Sequence, residues 1–283
     1  MIGCTKLLCG TATVSEVIKH QGSKIPPQLL QFSNSFRPLV VWNMTNRCNL
    51  RCIHCYIKAE DTEYRNELST EEAVTMIDDL ARMQCPVLLF SGGEPLIRPD
   101  IFELGRYATD KGLRCVISSN GTLIDDATAV KIREAGFQYV GISIDGAPAT
   151  HDYFRAKPGA FDMALAGIHA CQRNGVKTGM RFTVNRLNRH ELPEIFDIIE
   201  KEKVPRFCMY HLVYAGRGAE MIEQDTDAAV KRETLDYIIE KTLDFHARGI
   251  EAEILTTDNH ADGIYLYNHI LAKQPERADE IVE

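Results

Sequence analysis

The chain reads as an α/β protein, a full or partial barrel of parallel strands. Three observations lead there. Short β-rich runs alternate with helical patterns from residue 39 onward, at the spacing of βαβ units. Unusual polar residues fall just after each apolar run, where barrel strands carry their chemistry. The length of 283 residues, 45% apolar and 25% charged, suits one large globular core.

Residues 1–38 are expected to form an N-terminal extension, with Pro26-Pro27 and one short helix near 13–20. The first strand, Leu39–Met44, leads into Thr45-Asn46-Arg47-Cys48. Ser69-Thr70-Glu71-Glu72 then supplies a helix cap, ahead of apolar Ala73, Val74, Met76, Ile77 and Leu80 at helical spacing. Val87–Phe90 is the second strand, followed by Ser91-Gly92-Gly93-Glu94-Pro95 and a helix over about 101–111. Arg114–Ser118 runs into Ser119-Asn120-Gly121-Thr122 and a helix over 125–135. The fourth strand, Tyr139–Ile144, holds Ser143 and ends at Asp145-Gly146, before a helix over 160–174. Thr178–Val184 carries Arg181 and reaches Asn185, and a helix over 191–202 follows. Phe207–Tyr214 ends in Ala215-Gly216-Arg217-Gly218, then come a helix over 228–247 and a last strand, Glu253–Leu255. Polar loops after single strands are common. Six in succession argue for one shared site. The barrel is thus assigned to 39–258. Residues 259–283 read as the start of a C-terminal region that ends in mid-helix by pattern, as in a truncated chain.

The net charge of −8 disfavours a nucleic-acid partner, which would need a basic stripe. No run of about 18 apolar residues suggests a membrane span. The N-terminus lacks the basic and apolar regions of a secretory signal, so a cytoplasmic location is expected. Nine cysteines, an odd number with three packed at 48, 52 and 55, read as a metal or cluster site plus buried thiols rather than a disulfide framework.

Cys48-Asn-Leu-Arg-Cys52-Ile-His-Cys55 has the spacing C-x3-C-x2-C. Three thiolates on one tight loop can each bind one iron of a [4Fe–4S] cubane, leaving one iron open to another molecule. A zinc site with His54 or a distant residue as fourth ligand is the other reading. Gly92 and Gly93 would let backbone approach a ligand closely, and Glu94 can accept from an ammonium; a tight turn with a solvated Glu explains the same letters. Asn120-Gly121 also reads as a turn. Arg181 offers a planar fork suited to a carboxylate. Cys85, Cys115, Cys171, Cys208 and Trp42 are expected in the core.

With these residues in place, the chain resembles the radical S-adenosylmethionine (SAM) enzymes over roughly 39–258. The resemblance implies a partial (β/α)6 TIM-like barrel, a [4Fe–4S] cluster on Cys48, Cys52 and Cys55, and SAM chelated to the open iron. It implies that Gly92, Gly93 and Glu94 meet the SAM amino group. It gives Asn120, Ser143 and Asp145 to ribose and methionine, and Arg181 to the SAM carboxylate. Anaerobic chemistry and a low-potential donor such as ferredoxin or flavodoxin follow from it. Thr5–Gly10, Val40–Asn43, Cys55-Tyr56 and Thr256–His260 are similar, more narrowly, to the tetrapyrrole-modifying members of heme biosynthesis. The 12,18-didecarboxysiroheme deacetylases, which turn two acetate side chains into methyl groups and yield iron-coproporphyrin III, are the nearest in kind. Such a substrate needs cations and histidines, for which Arg155, His211, Arg217 and His260 are candidates, with His151, Lys157, Arg186, Arg189 and His190 nearby in sequence. Members of this subgroup usually carry more cysteines in a C-terminal extension, holding an auxiliary [4Fe–4S] cluster. Nothing after Cys208 could do so here. The remaining alternatives are a heme-d1 enzyme that removes propionates, a peptide maturase, and a non-enzymatic metal or tetrapyrrole scaffold.

Overall fold

The computed structural model describes residues 1–10 and 37–277. The helix expected near 13–20 and the chain end at 278–283 lie outside them. Two compact units divide the chain: 37–180 with 213–222, and, of the described residues, 1–10, 181–212 and 223–277.

In the first unit, strands β2 (Val40–Asn43), β3 (Val87–Ser91), β4 (Arg114–Ser119) and β5 (Val140–Ser143) lie side by side and parallel. Helices α2 (Thr70–Arg82), α3 (Ile101–Asp110), α4 (Asp126–Glu134), α5 (Pro148–Arg155) and α6 (Ala160–Arg173) connect or follow them. Parallel strands need such crossovers, and helices on the sheet bury its faces. The strand residues Leu88, Phe90, Cys115, Ile117, Val140 and Ile142 are accordingly buried, as are Ile77, Leu104, Ile132 and Ile168 on the helices. The cap read at Ser69 is a full capping box: its side chain accepts from Glu72 N, and Glu72 Oε2 accepts from Ser69 N. The next strand, β6, occupies Thr178–Val184, as read.

The second unit continues with α7 (Leu192–Lys201), β7 (Arg206–His211), α8 (Ala228–Ala247), β8 (Glu253–Thr257) and α9 (Ala261–Lys273). β7 and β8 are parallel. Residues 1–10 join this unit. Strand β1 (Ile2–Gly3) pairs antiparallel with β8, Ile2 opposite Thr256. Helix α1 (Cys4–Cys9) follows, with Cys4 and Leu8 buried. Arg277 donates to the carbonyls of Leu7 (2.9 Å) and Leu8 (2.7 Å), so both ends of the described chain join this unit. β7 also ends three residues before the expected Tyr214, because the backbone leaves the sheet there for a turn that the sequence did not announce. Cys85, Cys115, Cys171, Cys208 and Trp42 are all buried, as expected.

Candidate active site

The cysteine loop begins where β2 ends. Gly93 N donates to Thr45 O (2.7 Å) and Glu94 N to Arg47 O (2.9 Å), stitching the turn after β3 to the backbone ahead of Cys48. A Cβ on Gly92 would sit 2.3 Å from Thr45 O, and one on Gly93 2.2 Å from Arg47 O. These glycines therefore let the turn after β3 approach the cysteine loop closely. Glu94 is fully buried. Its carboxylate accepts from Ser119 Oγ (2.9 Å), Asn120 N (2.8 Å) and Leu96 N (3.2 Å). Burial outweighs these donors and pushes its pKa up to about 7.

Asn120 is committed to the protein. Its Oδ1 accepts from Thr122 N (2.9 Å) and Oγ1 (2.7 Å), and its Nδ2 donates to Asn49 Oδ1 (2.9 Å) and faces Cys48 Sγ at 3.9 Å. This ties the loop after β4 to the cysteine loop. Ser143 is the last residue of β5 and Asp145 lies two beyond it. Asp145 is buried and holds Arg155, with His54 Nε2 at 3.4 Å from the same carboxylate.

Each cysteine sulfur receives an N–H. Leu50 N donates to Cys48 (3.4 Å), Ala59 N to Cys55 (3.3 Å) and Arg155 Nη1 to Cys52 (3.4 Å). Burial pushes the Cys48 thiol up to about 12 and raises Cys52 as well, although Arg155 opposes the shift at Cys52. Arg155 Nε is buried without a partner among the described residues. Sulfurs ringed by donors, beside an unmatched cationic N–H, form a donor set suited to thiolates on an anionic cluster. Among the described residues no group of three or more His, Cys, Asp or Glu is arranged to hold a metal ion. His54 lies beside Asp145. It is held neutral by burial, its pKa lowered to about 4, and its ring meets Phe154 edge-on at 5.4 Å.

Two residues expected to meet substrate are instead internal. Arg155 is buried against Asp145 and Cys52. Arg217 is buried, with Nε on Cys52 O (2.7 Å) and both Nη on Ala59 O (3.0 Å), while its own N donates to Cys55 O (2.8 Å). It clasps the cysteine loop. Gly216, at φ +56°, permits this, since a Cβ there would lie 2.4 Å from Cys55 O. No signal in the sequence marks the clasp, because its partners are up to 165 positions apart. The Asp145–Arg155 pair leaves a faint one, a buried-looking Asp at a strand end followed by an Arg on the next helix.

The second unit holds Arg181, His211 and His260. Arg181 lies over the Tyr210 ring at 4.9 Å and its Nε donates to the hydroxyl (2.8 Å). His211 is buried, its Nε2 at 2.9 Å from Asp262 Oδ2. That places it in a buried pair with Asp262. His260 is exposed ahead of α9. His151, in the first unit, is also internal: its Nδ1 accepts from Asp145 N (3.0 Å).

A family model described as the Radical SAM superfamily matches residues 42–199. Fe-coproporphyrin III synthase of Methanosarcina barkeri is 53% identical over 285 residues, covering 100% of this chain and 71% of that protein. Pre-heme d1 synthase of Dinoroseobacter shibae is 41% identical over 251 residues, covering 88% of this chain and 62% of the relative. Among solved structures, Streptococcus suis SuiB bound to S-adenosylmethionine aligns with a TM-score of 0.69 at 18% identity, over 82% of this chain and 53% of that one. At that identity the likeness is one of fold, the α/β partial barrel expected from the alternating strands and helices. No helix among the described residues is long and apolar enough to cross a membrane.

Proposed function

The chain belongs to the radical SAM superfamily, and on that premise we propose that it removes the two acetate side chains of 12,18-didecarboxysiroheme to give Fe-coproporphyrin III. The observation that carries this reading is the similarity to the Methanosarcina barkeri synthase along the whole of this chain. The relative named for pre-heme d1 is less similar over a shorter stretch, so propionate removal is the weaker alternative.

The cofactors are those of the family, a [4Fe–4S] cluster and SAM. When bound, the cluster and SAM would supply one-electron chemistry that ends in abstraction of a substrate hydrogen. Cys48, Cys52 and Cys55 hold the cluster, and the donors on their sulfurs favour the thiolate form. Glu94 accepts the SAM ammonium, which restores the charge balance that burial of a carboxylate upsets. Asn120 positions Asn49 and Cys48, and Ser143 borders the same strand end. Arg181, in the second unit, offers a planar fork of the kind that suits a carboxylate, steadied over the Tyr210 ring. A low-potential donor, ferredoxin or flavodoxin, delivers the electron.

The test is an anaerobic reaction of reconstituted protein, SAM, a strong reductant and didecarboxysiroheme, followed by mass spectrometry. Iron-coproporphyrin III formed together with 5′-deoxyadenosine is the expected result. 5′-Deoxyadenosine with an unaltered tetrapyrrole overturns the substrate while keeping the radical chemistry.

A further inference from the structure

We propose that Arg155 is a positioning residue that sets the reduction potential of the cluster, by donating a charged hydrogen bond to the Cys52 sulfur while Asp145 fixes its fork. The inference rests on the proposed function, since it takes Cys52 as a cluster ligand. Its basis is an asymmetry among the three sulfurs. Cys48 and Cys55 receive backbone N–H groups, whereas Cys52 receives a guanidinium.

That guanidinium is locked. Arg155 closes α5, and the helix is tied to the cysteine loop by Ile53 N donating to Phe154 O (2.9 Å). Nη2 is paired with Asp145 while Nη1 reaches Cys52 Sγ at 3.4 Å, so the planar group spans carboxylate and sulfur. Asp145 is held in turn, by His54 Nε2 on its carboxylate side and by its own N–H on His151 Nδ1. Arg155 and Asp145 are 8% and 1% exposed in their side chains, so water does little to screen them. The result is an oriented ion pair with its positive end on the ligand sulfur and its negative end one group further away.

Reduction adds an electron to the cluster. A cationic donor on a ligand sulfur favours the more negative, reduced state, because hydrogen bonds to sulfur and local net charge are levers on cluster potential. Asp145 opposes this from behind. The two residues therefore act with opposite signs, which a purely structural role would not produce.

The experiment compares reconstituted wild type with Arg155→Gln, Arg155→Lys and Asp145→Asn, each checked for iron and sulfide content. The reduced-cluster EPR signal is followed through a potentiometric titration without SAM. At the wild-type midpoint, Arg155→Gln is expected to hold about tenfold less reduced cluster relative to oxidised, a shift of about 59 mV for one electron. Arg155→Lys should fall between the two. Asp145→Asn should move the midpoint the other way, and its sign decides the matter even where Arg155→Gln assembles poorly. Variants with wild-type iron content and a wild-type midpoint overturn the inference, as do Arg155→Gln and Asp145→Asn shifting in the same direction. A wild-type protein that never gains the EPR signal overturns the cluster assignment itself.

Discussion

Glu94 shows how a single buried carboxylate can record the ligand it awaits. It is fully buried among three donors, yet burial dominates and holds its pKa near 7 instead of the ordinary 4.5. The folded ligand-free protein therefore binds this proton more tightly than the unfolded chain does. Its contribution to stability is fully present below pH 4.5 and is lost as pH rises to about 7, an effect of at most roughly 3 kcal/mol. Denaturation of ligand-free protein across that window should show the decline, and Glu94→Gln should flatten that part of the slope. An identical slope in the variant would detach the decline from Glu94.

Among the elements, those that were legible are the ones whose own letters carry a period or a cap. Helix α2 announces itself through Ser69, Glu72 and the stripe Ala73, Ile77 and Leu80, and β6 through an apolar run of the right length. Helix α5 was missed because it is short, starts at Pro148 and buries a His and an Arg where a periodic pattern expects apolar residues. Strand β1 was missed because two residues have no pattern; only the edge of β8 makes them a strand. Cys48, Cys52 and Cys55 stand out in the sequence by their C-x3-C-x2-C spacing. The roles of Arg155 and Arg217 do not, because they depend on partners brought close by the fold. The clasp around Arg217 gives a prediction at this scale. Arg217→Ala would strip the buried carbonyls of Cys52 and Ala59 of their charged donor, at a cost of about 3–5 kcal/mol. Iron content after reconstitution should fall with it. Ser69→Ala is the comparison: it removes a cap worth about 1 kcal/mol and should leave iron content alone. Equal iron losses in both variants would make the clasp ordinary scaffolding.

At the scale of the molecule, the chain's beginning is part of its body. Residues 2–9 cover one edge of β8 and pack α1 into the second unit, with Thr5 Oγ1 accepting from Ile254 N at 2.8 Å. An uncovered strand edge invites pairing with another copy. Removing residues 1–9 should cost roughly 3 kcal/mol, about 10 °C in melting temperature, and increase association. Thermal denaturation with light scattering reads both effects, and an unchanged melting temperature would mean that the N-terminal strand is an ornament of the fold. The Arg217 clasp has a consequence in time as well. Cys52 and the arginine that grips its loop lie 165 residues apart. At about 5–20 residues per second, roughly ten to thirty seconds of translation separate them on the ribosome. Through that interval the cysteine loop lacks the arginine that grips it, and the carbonyls of Cys52 and Ala59 meet their charged donor only once the later segment has emerged.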